Sequence, residues 1–304
     1  MAYSYPPVAP TFSGDNETIS RFLNSPSVVA RRVQDITANR FIADVLLSGR
    51  TDVSGGAITY DVDEDLYTVR PVGAVSPGGE YDLTTIANGT PQVAKVTKWG
   101  QDTEVTDEAI KRQNFGAVEK GLGKLSNSII KKVDSISLSL IAATVTQTQA
   151  VTSGAWSVSG TAAILRDIML AKAKVTALNK GYDPNVLVVD DITWAYLASD
   201  AAVMNARGRE DSANAIYSGN FPTIAGLTVL PTPNIPGGSG AWLIDTTALG
   251  GIADEALGGG YTQAGAVETK VIREDLNDKW RLRARRVCVP YVTEPGAAIK
   301  ITGV

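Results

Sequence analysis

TDEAIKRQNFGAVEKGLGKLSNSIIKKVDSISLSLIAATVT, residues 106–146, is the stretch whose reading decides the fold. Its apolar residues Val118, Leu122, Leu125, Ile129, Val133, Ile136 and Leu140 are spaced 4, 3, 4, 4, 3 and 4 apart, the repeat of a helix with one buried stripe. Lys120, Lys124, Lys131 and Lys132 stay off that stripe. Thr106 can cap the first turn, and Asp107 and Glu108 place negative charge at the positive end of the helix dipole. Gly116, Gly121 and Gly123 weaken the early turns. A helix over about 106–146 runs roughly 60 Å at ~1.5 Å per residue, where an average helix has three to four turns. Such an element is a strut.

Upstream of the strut, residues 49–98 read as a long β excursion. Gly55-Gly56 precedes the β-branched strand pattern 57–62, and 93–99 alternates apolar and polar as a returning strand with one buried face. Between them Pro71, Gly73, Pro77, Gly78, Gly79, Gly89 and Pro91 punctuate sequence with little core of its own. A lone hairpin of this kind needs another surface to lie on. Residues 1–48 read as an arm. Pro6, Pro7 and Pro10 disfavour helix at its start, while Val29, Val33, Ile36, Ile42 and Leu46 give an amphipathic piece within 27–47. Arg21, Arg31, Arg32 and Arg40 are balanced by Asp15, Glu17, Asp35 and Asp44, the pattern of a solvated face.

Downstream, 161–264 reads as an α/β unit. A helix over 162–178 leads through the turn 179–184 to a fully apolar strand, 186–189. Asp191 is placed to cap a helix over 192–198, which accounts for the Asp190-Asp191 pair without catalysis. Further strands are expected at 227–230 and 241–244, with proline and glycine loops between them, and alternating strands occupy 267–301, of which 280–285 is the clearest. The fold class is α+β.

Composition narrows the function. The chain has 304 residues, 44% hydrophobic and 20% charged, with a net charge of −4, too mild a balance to signal nucleic acid or membrane as the main partner. Its single cysteine, Cys288, lies in the apolar run 287–289 and reads as a buried thiol. Residues 1–10 lack a signal-peptide pattern and no window reaches ~18 consecutive apolar residues, so a reducing cytoplasm is expected. Histidine is absent, which removes the Ser-His-Asp and Cys-His nucleophiles and histidine-ligated metals.

Two charged clusters stand out. Asp61, Asp63, Glu64 and Asp65 suggest calcium, but the sixth and twelfth positions of such a loop hold Leu66 and Val72 instead of Gly and Glu, so a salt-bridging surface is the better reading. Arg281, Arg283 and Arg285 share one face of a strand, followed by Arg286. With Trp280 as their only aromatic neighbour, pairing with acids of a neighbouring segment or subunit is expected over nucleic-acid stacking. The glycine runs 237–240 and 258–260 lack the Lys-Ser/Thr of a phosphate loop. No catalytic constellation, cofactor site or metal site is expected, and the chain reads as no enzyme.

Arm, long hairpin, very long helix, α/β unit and returning strands follow one another in an order that resembles the major capsid protein of tailed double-stranded DNA bacteriophages. That fold is shared by herpesvirus shells and encapsulins. Residues 99–109, WGQDTEVTDEA, look like its hairpin-to-spine junction, and 285–290 with 298–301 are similar to its closing strands. The resemblance implies an N-terminal arm (1–48), an extended β-hairpin loop (49–98), a peripheral domain with the spine helix and a β-sheet (99–155 and 265–304), and an α/β axial domain (156–264). It implies hexamers and pentamers of this chain forming an icosahedral head around the genome, with the hairpin lying over a neighbouring subunit. Asp61, Asp63, Glu64, Asp65, Arg281, Arg283 and Arg285 are the expected subunit contacts. A separate scaffolding protein and a portal follow as partners, with a decoration protein as a further possible one and sparse contacts to packaged DNA. The place of action is the virion, assembled in the host cytoplasm. Some relatives crosslink a hairpin lysine, but residues 41–94 contain none, so no crosslink is expected. The alternatives are an encapsulin-type compartment shell and, less in keeping with the residues, a cytosolic enzyme built on the α/β unit.

Overall fold

The computed structural model describes residues 23, 25–37, 41–86, 88–113, 115–158, 160–200, 203, 223–236 and 240–304. Pro6, Pro7, Pro10, Asp15, Glu17, Arg21, Arg40 and most of the glycine run 237–240 lie outside the described residues. The chain divides into two compact units. One holds the described residues of Met1–Arg40, Trp99–Ile129 and Leu257–Arg286, the other Phe41–Lys98, Ile130–Ala256 and Val287–Val304.

The first unit is a helix-on-sheet layer. Helix α1 (Pro26–Thr37) comes from the amphipathic piece of the arm; it buries Val29, Ala30 and Val33 and packs on strands β10 (Thr262–Ala264) and β11 (Val267–Glu274). β11 runs antiparallel to the first half of β12 (Lys279–Val292), with Glu268 opposite Arg285 and Glu274 opposite Lys279. β4 (Thr97–Thr106) also pairs with β12. Gly100 makes that approach possible, since a Cβ there would sit 2.8 Å from Arg285 Cβ and 3.0 Å from Ala284 O.

Thr106 caps the strut as expected, its hydroxyl accepting the Ala109 N–H at 3.3 Å. Helix α3 (Asp107–Gln113) and helix α4 (Phe115–Thr144) follow, and Asn114 between them is outside the described residues. At 30 residues α4 alone is about 45 Å long. Its early stripe is buried at Val118, Leu122, Leu125 and Ile129. The expected stripe then departs. Ile136 and Leu140 are only half-buried, while Asp134, Ser137, Leu138 and Ile141 are buried. The cause is tertiary, because Asp134 accepts the backbone N–H of Ala43 at 3.0 Å, beside the start of helix α2 (Ile42–Leu46).

The core of the second unit is a five-stranded sheet in the order β5 (Thr148–Ala150), β13 (Ala298–Thr302), β8 (Ala241–Ile244), β6 (Val186–Val189) and β7 (Thr228–Pro231). β13–β8 and β8–β6 are antiparallel; β5–β13 and β6–β7 are parallel. β6 and β8 are buried along their whole length, which explains their unbroken apolar sequences. Helix α5 (Ile164–Thr176) packs Ile168, Ala171 and Val175 inward against β5, β8 and β13. Helix α6 (Asp191–Ser199) begins at its expected cap, one residue before its expected start. Asp190 holds the capping position, and its side chain makes no capping hydrogen bond.

β1 (Gly49–Asp52) runs parallel to β9 (Gly250–Asp254), which pairs antiparallel with the second half of β12. A Cβ on Gly251 would lie 2.5 Å from Gly49 O and 2.7 Å from Tyr291 Oη, so the backbones meet where only glycine fits. β2 (Ala57–Val62) and β3 (Thr90–Lys95) form a two-stranded antiparallel sheet. The expected buried face on the returning strand is absent at Val93, which is 63% exposed. The sheets also cut across the expected division at 155/156 and 264/265: β5 and β13 hydrogen-bond into the sheet of β6 to β8, and β9 into β12.

Candidate assembly surface

Charge on the first unit's sheet is organised by strand alternation. Lys279, Arg281, Arg283 and Arg285 recur at every second residue of β12; between them Leu282 and Ala284 are buried and Trp280 is half-buried, and Arg286 beyond them is buried. Each of the four meets an acid on an adjacent strand. Lys279 donates to Glu104, Arg281 lies 2.6 Å from Glu274, and Arg283 grips Asp102 with Nε at 2.6 Å and NH2 at 2.7 Å. The Arg283 hydrogen bond holds the Asp102 carboxyl below the usual aspartate range, and Lys279 does the same to Glu104. Arg285 goes deepest, with Nε 2.6 Å from Glu268, NH2 3.0 Å from Gly258 O, and its guanidinium 3.5 Å from the centre of the Tyr261 ring. All three expected contact arginines therefore have acidic partners on neighbouring segments of their own chain. Asp102 and Glu104, those partners on β4, carried a legible signal: they alternate just ahead of the Thr106 cap.

At the first residue of α3 the same chemistry recurs. Arg273 grips Asp107 at 2.7 and 2.8 Å and lies over Trp280 at 5.2 Å. These residues, with Leu23, Ile110 and Lys111, line a recess of about 320 Å³. Its acid and guanidinium are committed to each other. Among the described residues no group of three or more His, Cys, Asp or Glu is placed to hold a metal, and no helix is long and apolar enough to cross a membrane.

The hairpin of the second unit is a different kind of surface. Beyond β2 it carries Leu66, Tyr67, Val69, Val72, Val75, Tyr81, Leu83 and Ile86, eight of the eighteen exposed large hydrophobic residues described, within 21 positions. Val72 is fully exposed and Leu83 is 88% exposed. Residues 61–86 also hold six carboxylates against one base, Arg70, a net charge of −5. So many exposed apolar side chains in one segment point to an interaction site.

Among the described residues, the hairpin is anchored to the rest of its chain at its root. Asp63, left-handed at φ 55°, donates its N–H to Thr293 O at 2.9 Å and its carboxylate meets Lys180 at 2.6 Å. Asp63 thereby raises the pKa of Lys180 above the ordinary lysine value. Glu64 N–H donates to Glu294, whose other oxygen accepts the Tyr182 hydroxyl at 2.6 Å. Burial and that carboxylate push the Tyr182 phenol well above its usual range. Of the expected acidic contacts, Asp63 is thus engaged within the chain, Glu64 through its backbone, and Asp61 and Asp65 are exposed at the same root. Lys180, Tyr182 and Glu294 escaped the sequence reading, which saw only a turn at 179–184. Nothing local ties that turn to a segment more than a hundred residues away.

Residues 89–301 match the sequence profile of a family described as phage capsid protein. Among solved structures, the capsid of cyanophage P-SCSP1u is similar at TM-score 0.62 and 13% identity, covering 83% of this chain and 84% of that one. A structure from Microbacterium phage Oxtober96 is similar at 0.59 and 14%, covering 86% and 90%. A virus-like particle from Pyrococcus furiosus is similar at 0.57 and 12%, covering 90% and 97%. At these identities the likeness is one of fold. No curated protein matches the chain.

Proposed function

From the premise that this chain belongs to the phage capsid protein family, we propose that it closes into hexamers and pentamers whose hairpins clasp neighbouring copies around packaged double-stranded DNA. It is a structural shell protein of the virion capsid. The observation that carries the clasp is the hairpin itself: apolar, acidic, exposed beyond residue 64, yet fixed at its root. Burying such a surface against a second copy removes it from water, worth about 25 cal/mol per Å² before association costs. Asp61 and Asp65 are offered as subunit contacts with basic residues of that copy. Arg281, Arg283 and Arg285 serve the shell indirectly, by stiffening the sheet through their own acids.

A separate scaffolding protein that directs assembly in the host cytoplasm belongs to the same proposal. A portal, a decoration protein on the outer face and sparse contacts with DNA complete the proposed partners. Negative-stain electron microscopy of the purified chain, alone and with a candidate scaffold, tests the reading. Capsomers or irregular shells that become regular with scaffold support it. Uniform small shells from the chain alone point to a compartment shell, and a monomer under both conditions refutes the clasp.

A further inference from the structure

We propose that Lys180 is the positioning residue of the hairpin, a latch that sets the direction in which the exposed tip leaves the body of the subunit. β2 ends at Val62, and the next residue, Asp63, takes a left-handed conformation that turns the chain. At that bend two segments of the same unit converge. The corner at 293–294 receives the backbone N–H groups of Asp63 and Glu64, at 2.9 and 3.2 Å. The turn after α5 supplies everything else. Lys180 Nζ donates to Asp63 Oδ1 at 2.6 Å and to Glu64 O at 3.3 Å, and lies 4.0 Å from Glu294. One residue earlier, Asn179 O accepts the Tyr67 hydroxyl at 2.6 Å.

Lys180 alone touches both the hairpin's bend and the corner beneath it among these contacts, so its ammonium is a node that joins two strand ends to the turn after α5. Its turn is shaped for the purpose, with left-handed residues on either side, Asn179 at φ 55° and Gly181 at φ 79°. Among the described residues, the ties of the hairpin past Tyr67 are internal, such as Arg70 N–H to Thr84 Oγ1 at 3.4 Å and the turn bond Gly79 N–H to Ser76 O at 2.8 Å. The node is therefore the last point at which the body of the subunit controls the tip.

The latch stands on these contacts; its consequence for shell geometry rests on the clasp reading above. Chymotrypsin separates the two. Tyr67 lies inside the latch, and Tyr81, 84% exposed and beyond it, serves as an internal reference. In the full-length unassembled chain, Lys180→Ala is expected to speed cleavage after Tyr67 about fivefold while cleavage after Tyr81 is unchanged, because loss of the node frees local opening of one end only. Lys180→Arg is expected to restore the parental ratio. Asp63→Asn, at an exposed carboxylate whose loss spares the core, gives the same change from the other side of the pair. An unchanged Tyr67 to Tyr81 ratio in both variants overturns the proposal. Electron microscopy of shells assembled from Lys180→Ala is then expected to show irregular or mixed sizes. Regular shells from a variant with accelerated Tyr67 cleavage uphold the latch and count against the clasp.

Discussion

Arg285→Ala distinguishes an arginine that works between subunits from one that works within its own. The side chain of Arg285 is 10% exposed and that of Glu268 11%, and they meet at 2.6 Å across the β11–β12 pair. Gly258 O and the Tyr261 ring complete the guanidinium's surroundings. Truncation leaves Glu268 a nearly buried carboxylate without its counter-ion, a change that costs about 3 kcal/mol. For a chain of this size that corresponds to a fall in Tm of roughly 6 °C. Replacing both partners by apolar residues of similar volume, Arg285→Met with Glu268→Leu, removes the charge instead of stranding it and is expected within about 1 kcal/mol of the parent. The assay is thermal unfolding of the unassembled chain followed by circular dichroism, with shell assembly scored in parallel. A single variant that melts within about 1 °C of the parent yet fails to assemble refutes the reasoning, since the arginine would then act across a subunit boundary.

The remaining expectations are simpler. Ser137 is 1% exposed in α4 and its hydroxyl has no hydrogen-bond partner among the described residues, so Ser137→Ala should stabilise the chain by about 1 kcal/mol, read as a higher urea midpoint; a lower midpoint would mean the hydroxyl is satisfied. Asp102, held below the usual aspartate range by Arg283, contributes stability that is complete above the ordinary value of about 3.9 and is lost as pH falls through its depressed one. Below about pH 4 the parent should therefore lose stability more steeply than Asp102→Asn as pH falls; parallel acid limbs would contradict this. Assembled shells boiled in denaturant should run as a single monomer band, because residues 41–94 have no lysine and Lys95 sits at the hairpin's base opposite Ala57; covalent multimers would overturn that.

Much of the fold was legible because local patterns report local burial. The strands at 57–62, 186–189 and 241–244 emerged where β-branched or unbroken apolar runs placed them. Thr106 emerged as a cap from one hydroxyl ahead of two acids. Short strands such as β1, β5 and β10 carry too few residues for any period to register. The candidate surface was half legible. Acidic Asp61 to Asp65 and an unsupported hairpin were visible, as was the need for a partner. The apolar load of the tip, Leu66 to Ile86, was hidden because its residues follow neither the helix nor the strand repeat.

What the sequence determined by itself is the longer elements, the strut, the absence of histidine chemistry and the family. The strut and the missing histidines follow from composition or from spacings within one segment, and the family from the resemblance of the order of elements. Partnership was decided only by the tertiary structure. Arg283 could be seen to need an acid, but that the acid is Asp102, 181 residues earlier, depends on β4 lying beside β12. Lys180 and Asp63 are 117 residues apart, and the second half of α4 buries Asp134 because Ala43 needs an acceptor there. A period records which side of a segment is covered and never what covers it. Two segments meet because the whole chain must bury its apolar faces and satisfy its backbone at once, and that constraint exists only in three dimensions.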